Sequence, residues 1–146
     1  MRRIRIEYIL FVFVASTQII TMGGHTYSPD EEERYFVTKG LIEQRSLAVS
    51  IPTNREAVVS SDHIVLGKNY SKYGLGESLA FLPFFVMGAW LANSFPPEAF
   101  GFVTRFAVTL LNPLVTALTA VVLFSTVRAL HFSLRSALAV AVLHSF

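Results

Sequence analysis

The sequence predicts an all-α membrane protein with several transmembrane helices and one polar loop that carries short interfacial helices. Hydrophobic residues make up 53% of the 146 residues, charged residues make up 15%, and the mean hydropathy is +0.52. These values lie on the apolar side of a typical soluble domain. The charges are also segregated, because all three lysines and seven of the ten acidic residues lie between Gly23 and Gly74. A polar loop between apolar segments explains this distribution better than the surface of a soluble domain does.

Four apolar segments, residues 4–22, 75–95, 99–130 and 136–146, supply the candidate transmembrane spans. The length of the first nearly matches a hydrocarbon core of roughly 30 Å, because a helix rises about 1.5 Å per residue. The second places Trp90 toward its far end, where amphipathic rings favour the membrane interface. The third and longest is interrupted by Arg105 and by Asn112-Pro113, and buried polar groups at membrane depth are candidates for function.

The last of these segments, 136–146, is too short to cross a bilayer. A half-finished apolar run leaves backbone groups and side chains that need a partner outside the run. We therefore expect the chain to be the N-terminal part of a longer membrane protein.

The basic residues set the expected orientation. Arg2 and Arg3 precede the first segment and predict a cytoplasmic N-terminus, which places the loop 23–74 outside the cytoplasm. Three crossings then place Arg128 outside as well, against the same rule, whereas a re-entrant segment at 75–95 places it inside. Three crossings are favoured, because a mostly apolar stretch of this length spans more often than it lies flat. A cleaved signal peptide is an alternative for the first segment, although no A-x-A pattern follows it.

An acidic run opens the loop and has the features of a helix start. Ser28 can cap the helix, Pro29 suits its first turn, and the carboxylates of Asp30 and Glu31 complement the helix dipole. Apolar and charged residues then alternate at helical spacing over 35–42. This pattern predicts an amphipathic helix along the membrane surface, with the acidic run near the headgroup level.

The two ends of the loop carry complementary chemistry. A carboxylate at the membrane face can act as a general base on an acceptor hydroxyl, or can bind a divalent cation that bridges phosphate oxygens. At the other end of the loop, Lys68 and Lys72 lie among Tyr70 and Tyr73, where an ammonium group can meet a lipid phosphate. For each lysine taken singly, a side chain that merely snorkels at the surface is the commoner explanation.

Composition and spacing argue against several other classes of site. The absence of cysteine excludes disulfides and thiolate metal sites. His25 and His63 lack the i, i+4 spacing of a helical metal site, so no histidine-ligated metal is expected. The formal charge of +2 is too small and too dispersed to indicate binding to nucleic acid.

The order of these features resembles that of a known family. An apolar segment is followed by a loop that opens with Asp30-Glu31 and then Arg34-Tyr35, and Lys72-Tyr73-Gly74-Leu75-Gly76 enters the second segment. This order is similar to the N-terminal part of the GT-C membrane glycosyltransferases, particularly the prokaryotic relatives of dolichyl-phosphate-mannose protein mannosyltransferases and aminoarabinose transferases. The resemblance extends through residues 105–120 to 128–130, and order and spacing carry it more than any single motif.

The resemblance implies inverting transfer of a sugar from a polyprenyl-phosphate donor to an acceptor outside the cytoplasm, at the plasma membrane of a prokaryote. It assigns the essential acidic residue to Asp30, with Glu31 adjoining it, and a match on the Arg-Tyr pair instead places Glu31 at that position. The carboxylate then assists acceptor deprotonation or holds a divalent cation, and Lys72 neutralises the leaving phosphate. The expected substrate-binding residues are Arg34, Tyr35, Lys72 and Tyr73.

A protein without catalysis is the alternative. It is either a transporter segment or a small subunit that binds anionic lipid through Lys68 and Lys72. A truncated product without function is the third reading. Separate replacement of Asp30 by Asn and Glu31 by Gln distinguishes an enzyme from a lipid binder, because only the enzyme then loses turnover while it still inserts in the membrane.

Overall fold

The structure is a computed structural model of the chain, and it describes residues 2–26, 28–48, 64–65 and 68–146. Within these ranges the fold is mainly helical, and a two-residue antiparallel strand pair, β1 (Ile64–Val65) and β2 (Lys68–Asn69), is the exception. A 3-10 turn, Pro97–Ala99, precedes the fourth helix. The α-helices are α1 (Arg2–Thr21), α2 (Pro29–Glu43), α3 (Leu75–Ala92), α4 (Phe100–Thr109), α5 (Leu111–Ala129) and α6 (Leu134–Ser145).

The helices coincide with the apolar segments that the sequence indicates. Two helical stretches, Leu75–Ala92 and Pro97–Ala129, are long and apolar enough to cross a membrane. The apolar helices Ile6–Thr21 and Leu134–Ser145 are shorter. The mainly helical fold class is therefore confirmed for the described residues, and the crossing of a bilayer by these helices stays a prediction.

The third apolar segment is divided between α4 and α5. At the division the backbone N–H of Leu110 donates to the carbonyl of Ala107 at 3.2 Å, a 3-10 contact in place of the α-helical one. Pro113 follows in the first turn of α5. A proline lacks the N–H that would bond the carbonyl four residues earlier, and its ring collides with that carbonyl, so it interrupts a helix one turn upstream. The interruption that Asn112-Pro113 indicates in the sequence is thus present.

The helices form two compact groups. The terminal unit consists of Met1–Gly23 and Asn112–Phe146, and the central unit consists of Gly24–Leu111. Alanine dominates the core of the terminal unit, and small side chains allow helices to approach closely. The buried members of that core are Leu10, Val14, Ala15, Ala117, Ala120, Phe124, Ala137 and Ala141.

Aromatic side chains dominate the core of the central unit. The ring of Tyr35 lies 5.6 Å from that of Phe36 and 5.7 Å from that of Phe85, which are ordinary distances for tilted or edge-on aromatic pairs. The buried members of this core are Tyr35, Phe36, Val37, Phe81, Phe85 and Val108.

A glycine permits the close approach of α3 and α4 in the central unit. A Cβ atom added at Gly88 would lie 2.7 Å from the Cβ of Ala107 and 3.0 Å from the Cα of Thr104. Atoms at these distances overlap, so any side chain at this position would push the two helices apart. Glycine is therefore required for the observed packing.

The loop between the first two apolar segments differs from its expected form. The helix predicted from Ser28 is present as α2, but its apolar residues Tyr35, Phe36 and Val37 are at most 4% exposed, inside the central unit. The expectation that these residues face the membrane surface is therefore corrected, because α3 offers a nearer apolar partner. The bridge between Ala48 and Tyr70 and the β1–β2 pair were not predicted.

Candidate functional site

The site begins at the N-terminus of α2. The hydroxyl of Ser28 accepts a hydrogen bond from the backbone N–H of Glu31 at 3.2 Å, and Pro29 occupies the first turn. Asp30, Glu31 and Glu32 also lie in this first turn, where the helix dipole favours negative charge. The predicted helix start is thus confirmed, and it explains why an acidic run is compatible with a stable helix here.

The four consecutive carboxylates lie in two different environments. Glu32 and Glu33 are buried, at 5% and 3% exposure, whereas Asp30 and Glu31 are half-buried. A charged group taken out of water requires a partner of opposite sign or several hydrogen bonds. The two buried glutamates, Glu32 and Glu33, therefore require partners within the protein. Asp30 and Glu31 remain partly accessible to solvent.

Glu32 forms an ion pair with Arg105 of α4. The Nη2 of Arg105 lies 2.6 Å from one carboxylate oxygen, and its Nε lies 3.1 Å from both oxygens. The hydroxyl of Thr26 also donates to this carboxylate. Forked contacts of this kind are the stronger class of charge-assisted hydrogen bonds. Glu32 thus connects α2 to α4. It is the partner of Arg105, the charged residue that interrupts the third apolar segment.

Glu33 ties α2 to the residues just before α3. Its Oε1 accepts a hydrogen bond from the backbone N–H of Lys72 at 3.0 Å. A buried carboxylate that accepts a backbone N–H fixes the path of the chain, because both groups would otherwise lose hydrogen bonds to water. The position of Lys72 relative to α2 is therefore set by Glu33.

The cations of Arg34 and Lys72 lie against the ring of Tyr73. The guanidinium carbon of Arg34 is 4.6 Å from the ring centroid, and the Nζ of Lys72 is 5.0 Å from it. Both distances are within the range of cation–π attraction. Arg34 also pairs with Glu77 in the first turn of α3, at 2.9 Å. The expected residues Arg34, Lys72 and Tyr73 are thus brought together at one end of α3.

Lys72 is exposed, and its neighbours favour its charged form. Hydrogen bonding to the side chain of Tyr73 is the largest cause that raises the pKa of Lys72, and the nearby charges of Asp30 and Glu33 raise this pKa further. Lys72 therefore carries a positive charge at neutral pH. The link between α2 and the residues before α3 is the hydrogen bond from the backbone N–H of Lys72 to Glu33.

Tyr35, expected to bind substrate, lies beneath this surface. It is 1% exposed, and its hydroxyl is 2.7 Å from the hydroxyl of Thr104. Burial raises the pKa of Tyr35 above its ordinary value, so the phenol is neutral under physiological conditions. The structure thus places Tyr35 in the core as a support for α2, and not on an open surface.

Several contacts of the site could not be found from the sequence. Glu32 and Arg105 are 73 positions apart, so no local pattern connects them, and the signal in the sequence is an arginine inside an apolar segment. Among the described residues no group of three or more His, Asp or Glu side chains is placed to hold a metal ion. Gly67 and the side chain of Lys68 lie outside the described part of the chain.

No family model, curated protein or solved structure matches this chain. The geometry of the central unit is therefore the basis for a functional conclusion. A half-buried carboxylate beside a charged lysine can accept a proton while the ammonium group neutralises a phosphate. The ring of Tyr73, with the cations of Arg34 and Lys72 against it, restricts the orientation of both cations.

Proposed function

We propose that the chain belongs to an integral-membrane glycosyltransferase that takes its sugar from a polyprenyl-phosphate donor. The contact that holds Lys72 against α2 carries the proposal: the backbone N–H of Lys72 donates to Glu33 at 3.0 Å, and Asp30 lies three residues before Glu33 on the same helix. In this arrangement a general base and a phosphate-binding cation occupy the same end of an apolar helix. Arg34 and Tyr73 complete the phosphate side of the site.

The proposed reaction is a displacement at the anomeric carbon of the sugar. The acceptor oxygen forms a bond to this carbon, the bond from the carbon to the phosphate oxygen breaks, and the phosphate leaves with the electron pair. Asp30, or Glu31 beside it, takes the proton of the acceptor, and Lys72 neutralises the leaving phosphate. The configuration of the anomeric carbon is inverted.

The two apolar stretches support a membrane location. We place Leu75–Ala92 and Pro97–Ala129 across the plasma membrane of a prokaryote, as part of a multi-pass protein with the loop 23–74 outside the cytoplasm. Trp90 is 71% exposed near the C-terminal end of α3, and interfacial tryptophans are typical of such positions. A lipid-linked donor would then reach the site by lateral diffusion in the bilayer.

A non-catalytic lipid-binding protein is the second candidate. Lys72 and Arg34 against Tyr73 can bind the phosphate of an anionic lipid without any contribution from Asp30. The two candidates differ in whether a carboxylate is needed.

Transfer assays on the protein expressed in full from its gene test the enzyme. Membranes receive a radiolabelled polyprenyl-phosphate sugar, and transfer to endogenous acceptors is measured for the wild type, Asp30→Asn and Glu31→Gln. Loss of a general base lowers the rate by about 10²–10⁴-fold, so one of the two variants is expected to lose transfer to this extent. Glu98→Gln, at an exposed position in the 3-10 turn, is the control. Resistance of each variant to alkaline extraction verifies membrane insertion.

Binding of polyprenyl phosphate separates the two candidates. Lys72→Met is expected to weaken binding, whereas the control Lys39→Met removes a lysine that pairs with Glu43 at 3.8 Å on the other end of α2. If Lys72→Met weakens binding but both carboxylate variants keep transfer at the wild-type rate, the enzyme proposal is wrong for this site. Absence of any transfer by the wild type, with Lys72-dependent binding intact, supports the lipid-binding protein.

A further inference from the structure

We infer that Arg105, acting through Glu32, is a positioning residue that holds the first turn of α2, and with it Asp30, against the Lys72 end of α3. The inference rests on the proposed function in one respect, since it takes Asp30 and Lys72 as the reacting pair. The observations that support it are the contacts of Arg105, the burial of Glu32 and the separate attachment of Glu33.

Arg105 is fixed by donors that point in two directions. Its Nε and Nη2 donate to the carboxylate of Glu32, while its Nη1 donates to the carbonyl of Gly101 on α4 at 3.0 Å. A guanidinium group is planar and presents its donors as a rigid fork, so contacts on both edges define its orientation. Arg105 therefore holds the carboxylate of Glu32 in a fixed position relative to α4.

Aromatic rings fix the faces of the same guanidinium group. Its carbon lies 4.5 Å from the centroid of Tyr35 and 5.7 Å from that of Phe36. Tyr35 is in turn bonded to Thr104, next to Arg105 on α4. The side chains of Glu32, Tyr35 and Phe36, which lie one turn apart on α2, thus meet one short stretch of α4, and these contacts resist rotation of α2 about its own axis.

A second contact of α2, made by Glu33, further restricts the position of Asp30. Glu33 bonds the N–H of Lys72, so α2 is held at adjacent residues to two different parts of the central unit. A helix fixed at two points that face different directions can neither slide nor rotate freely. Asp30 lies two residues before Glu32 in the same turn and three before Glu33, so these contacts restrict where Asp30 can lie relative to Lys72.

The electrostatic coupling between Asp30 and Lys72 is the quantity that tests the inference. The carboxylate of Asp30 raises the pKa of Lys72, so Asp30→Asn is expected to lower this pKa. The lysine amines are methylated with ¹³C, and the pKa of Lys72 is followed by NMR in the detergent-solubilised protein. The chain has three lysines, and Lys39 serves as the internal reference.

The expected result is that Asp30→Asn shifts the pKa of Lys72 in the wild type and no longer shifts it in the Arg105→Gln background. Arg105→Lys keeps the charge but loses the fork, and is expected to retain only part of the coupling. The double variant Glu32→Ala/Arg105→Ala removes both charges together with the contact between the two side chains, and provides a folded background if the single variant unfolds. An Asp30→Asn shift of wild-type size in Arg105→Gln or in the double variant would overturn the inference.

This measurement needs neither a sugar donor nor catalysis. If the coupling depends on Arg105 and the wild type shows no transfer, the proposed function fails while the positioning role stands. If transfer depends on Asp30 and the coupling is independent of Arg105, the positioning role fails while the proposed function stands.

Discussion

The helices of the terminal unit and those of the central unit pack through different kinds of side chain. In the terminal unit alanines form the seam, and Ala117, Ala120, Ala137 and Ala141 are fully buried. Among its described side chains, Gln18 donates to the carbonyl of Ser145 at 2.5 Å and Ser125 donates to the carboxylate of Glu7 at 2.9 Å. In the central unit large aromatic rings fill the core, and oppositely charged side chains are paired beside it.

This difference shows which property each unit depends on. A seam of alanines depends on volume, because closely spaced helices have no room for added methyl groups. A core that buries a carboxylate depends on charge balance, because an ion without its counter-ion is strongly destabilised. The central unit carries the candidate site, and its buried carboxylates Glu32 and Glu33 hold the part of α2 that also contains Asp30 and Glu31.

The largest expected effect comes from loss of charge in the central unit. Arg105→Gln leaves the buried carboxylate of Glu32 without its cation, and loss of one partner of a buried pair costs about 3–5 kcal/mol. The matched change in the terminal unit, Glu7→Gln, keeps an acceptor for Ser125 and is expected to cost about 1 kcal/mol or less. Equilibrium unfolding in detergent micelles measures both free energies.

The double variant Glu32→Gln/Arg105→Gln is the control for this prediction. It removes both charges and leaves amides that can bond each other, so it is expected to be more stable than either single variant. Equal destabilisation by Arg105→Gln and Glu7→Gln would contradict the contrast between the two units.

An increase in volume in the terminal unit gives the next largest effect. Ala117→Leu adds a branched side chain to a fully buried position in α5, and overpacking of a core costs about 1–3 kcal/mol. Ala129→Leu, at the exposed end of the same helix, is the matched control and is expected to leave the unfolding free energy nearly unchanged. If both variants unfold like the wild type, the alanine seam does not determine packing.

The smallest effect is that of the buried phenol in the central unit. Tyr35→Phe removes the hydrogen bond to Thr104 and is expected to cost about 0.5–1.5 kcal/mol at neutral pH. Because burial raises the pKa of Tyr35 in the folded state, its contribution is complete below about pH 10, the ordinary value, and is lost as the pH rises through the raised pKa.

The raised pKa of Tyr35 makes its contribution to stability depend on pH. The stability difference between the wild type and Tyr35→Phe is expected to be constant from pH 7 to about 9 and to shrink above pH 10. Unfolding measured at several pH values for both proteins gives this difference. A constant difference up to pH 11 would mean that Tyr35 ionises as freely in the folded protein as in the unfolded one.

Much of the secondary structure could be predicted because its causes are local. The apolar segments gave the helices, Ser28 and Pro29 gave the start of α2, and Asn112-Pro113 gave the interruption between α4 and α5. Capping, proline geometry and hydrophobic length all act within a few residues, so the sequence displays them directly.

The grouping of residues at the site was predictable only in part. Arg34, Lys72 and Tyr73 were expected to bind substrate, which stays a prediction, and the structure places the cations of Arg34 and Lys72 against the ring of Tyr73. Tyr35 was expected to contact substrate and instead lies in the core. A residue in a helix turns toward solvent or toward the core according to what its neighbours in space provide, and spacing alone does not give those neighbours.

The sequence by itself determined a mainly helical chain with apolar stretches long enough to cross a membrane and an acidic helix start beside them, because these follow from composition and local order. Only the tertiary structure decided which carboxylates are structural. Glu32 pairs with a residue 73 positions away and Glu33 with one 39 positions away, so their burial depends on the packing of α2 against α3 and α4. Four acidic residues that look equivalent in sequence thus receive two different roles.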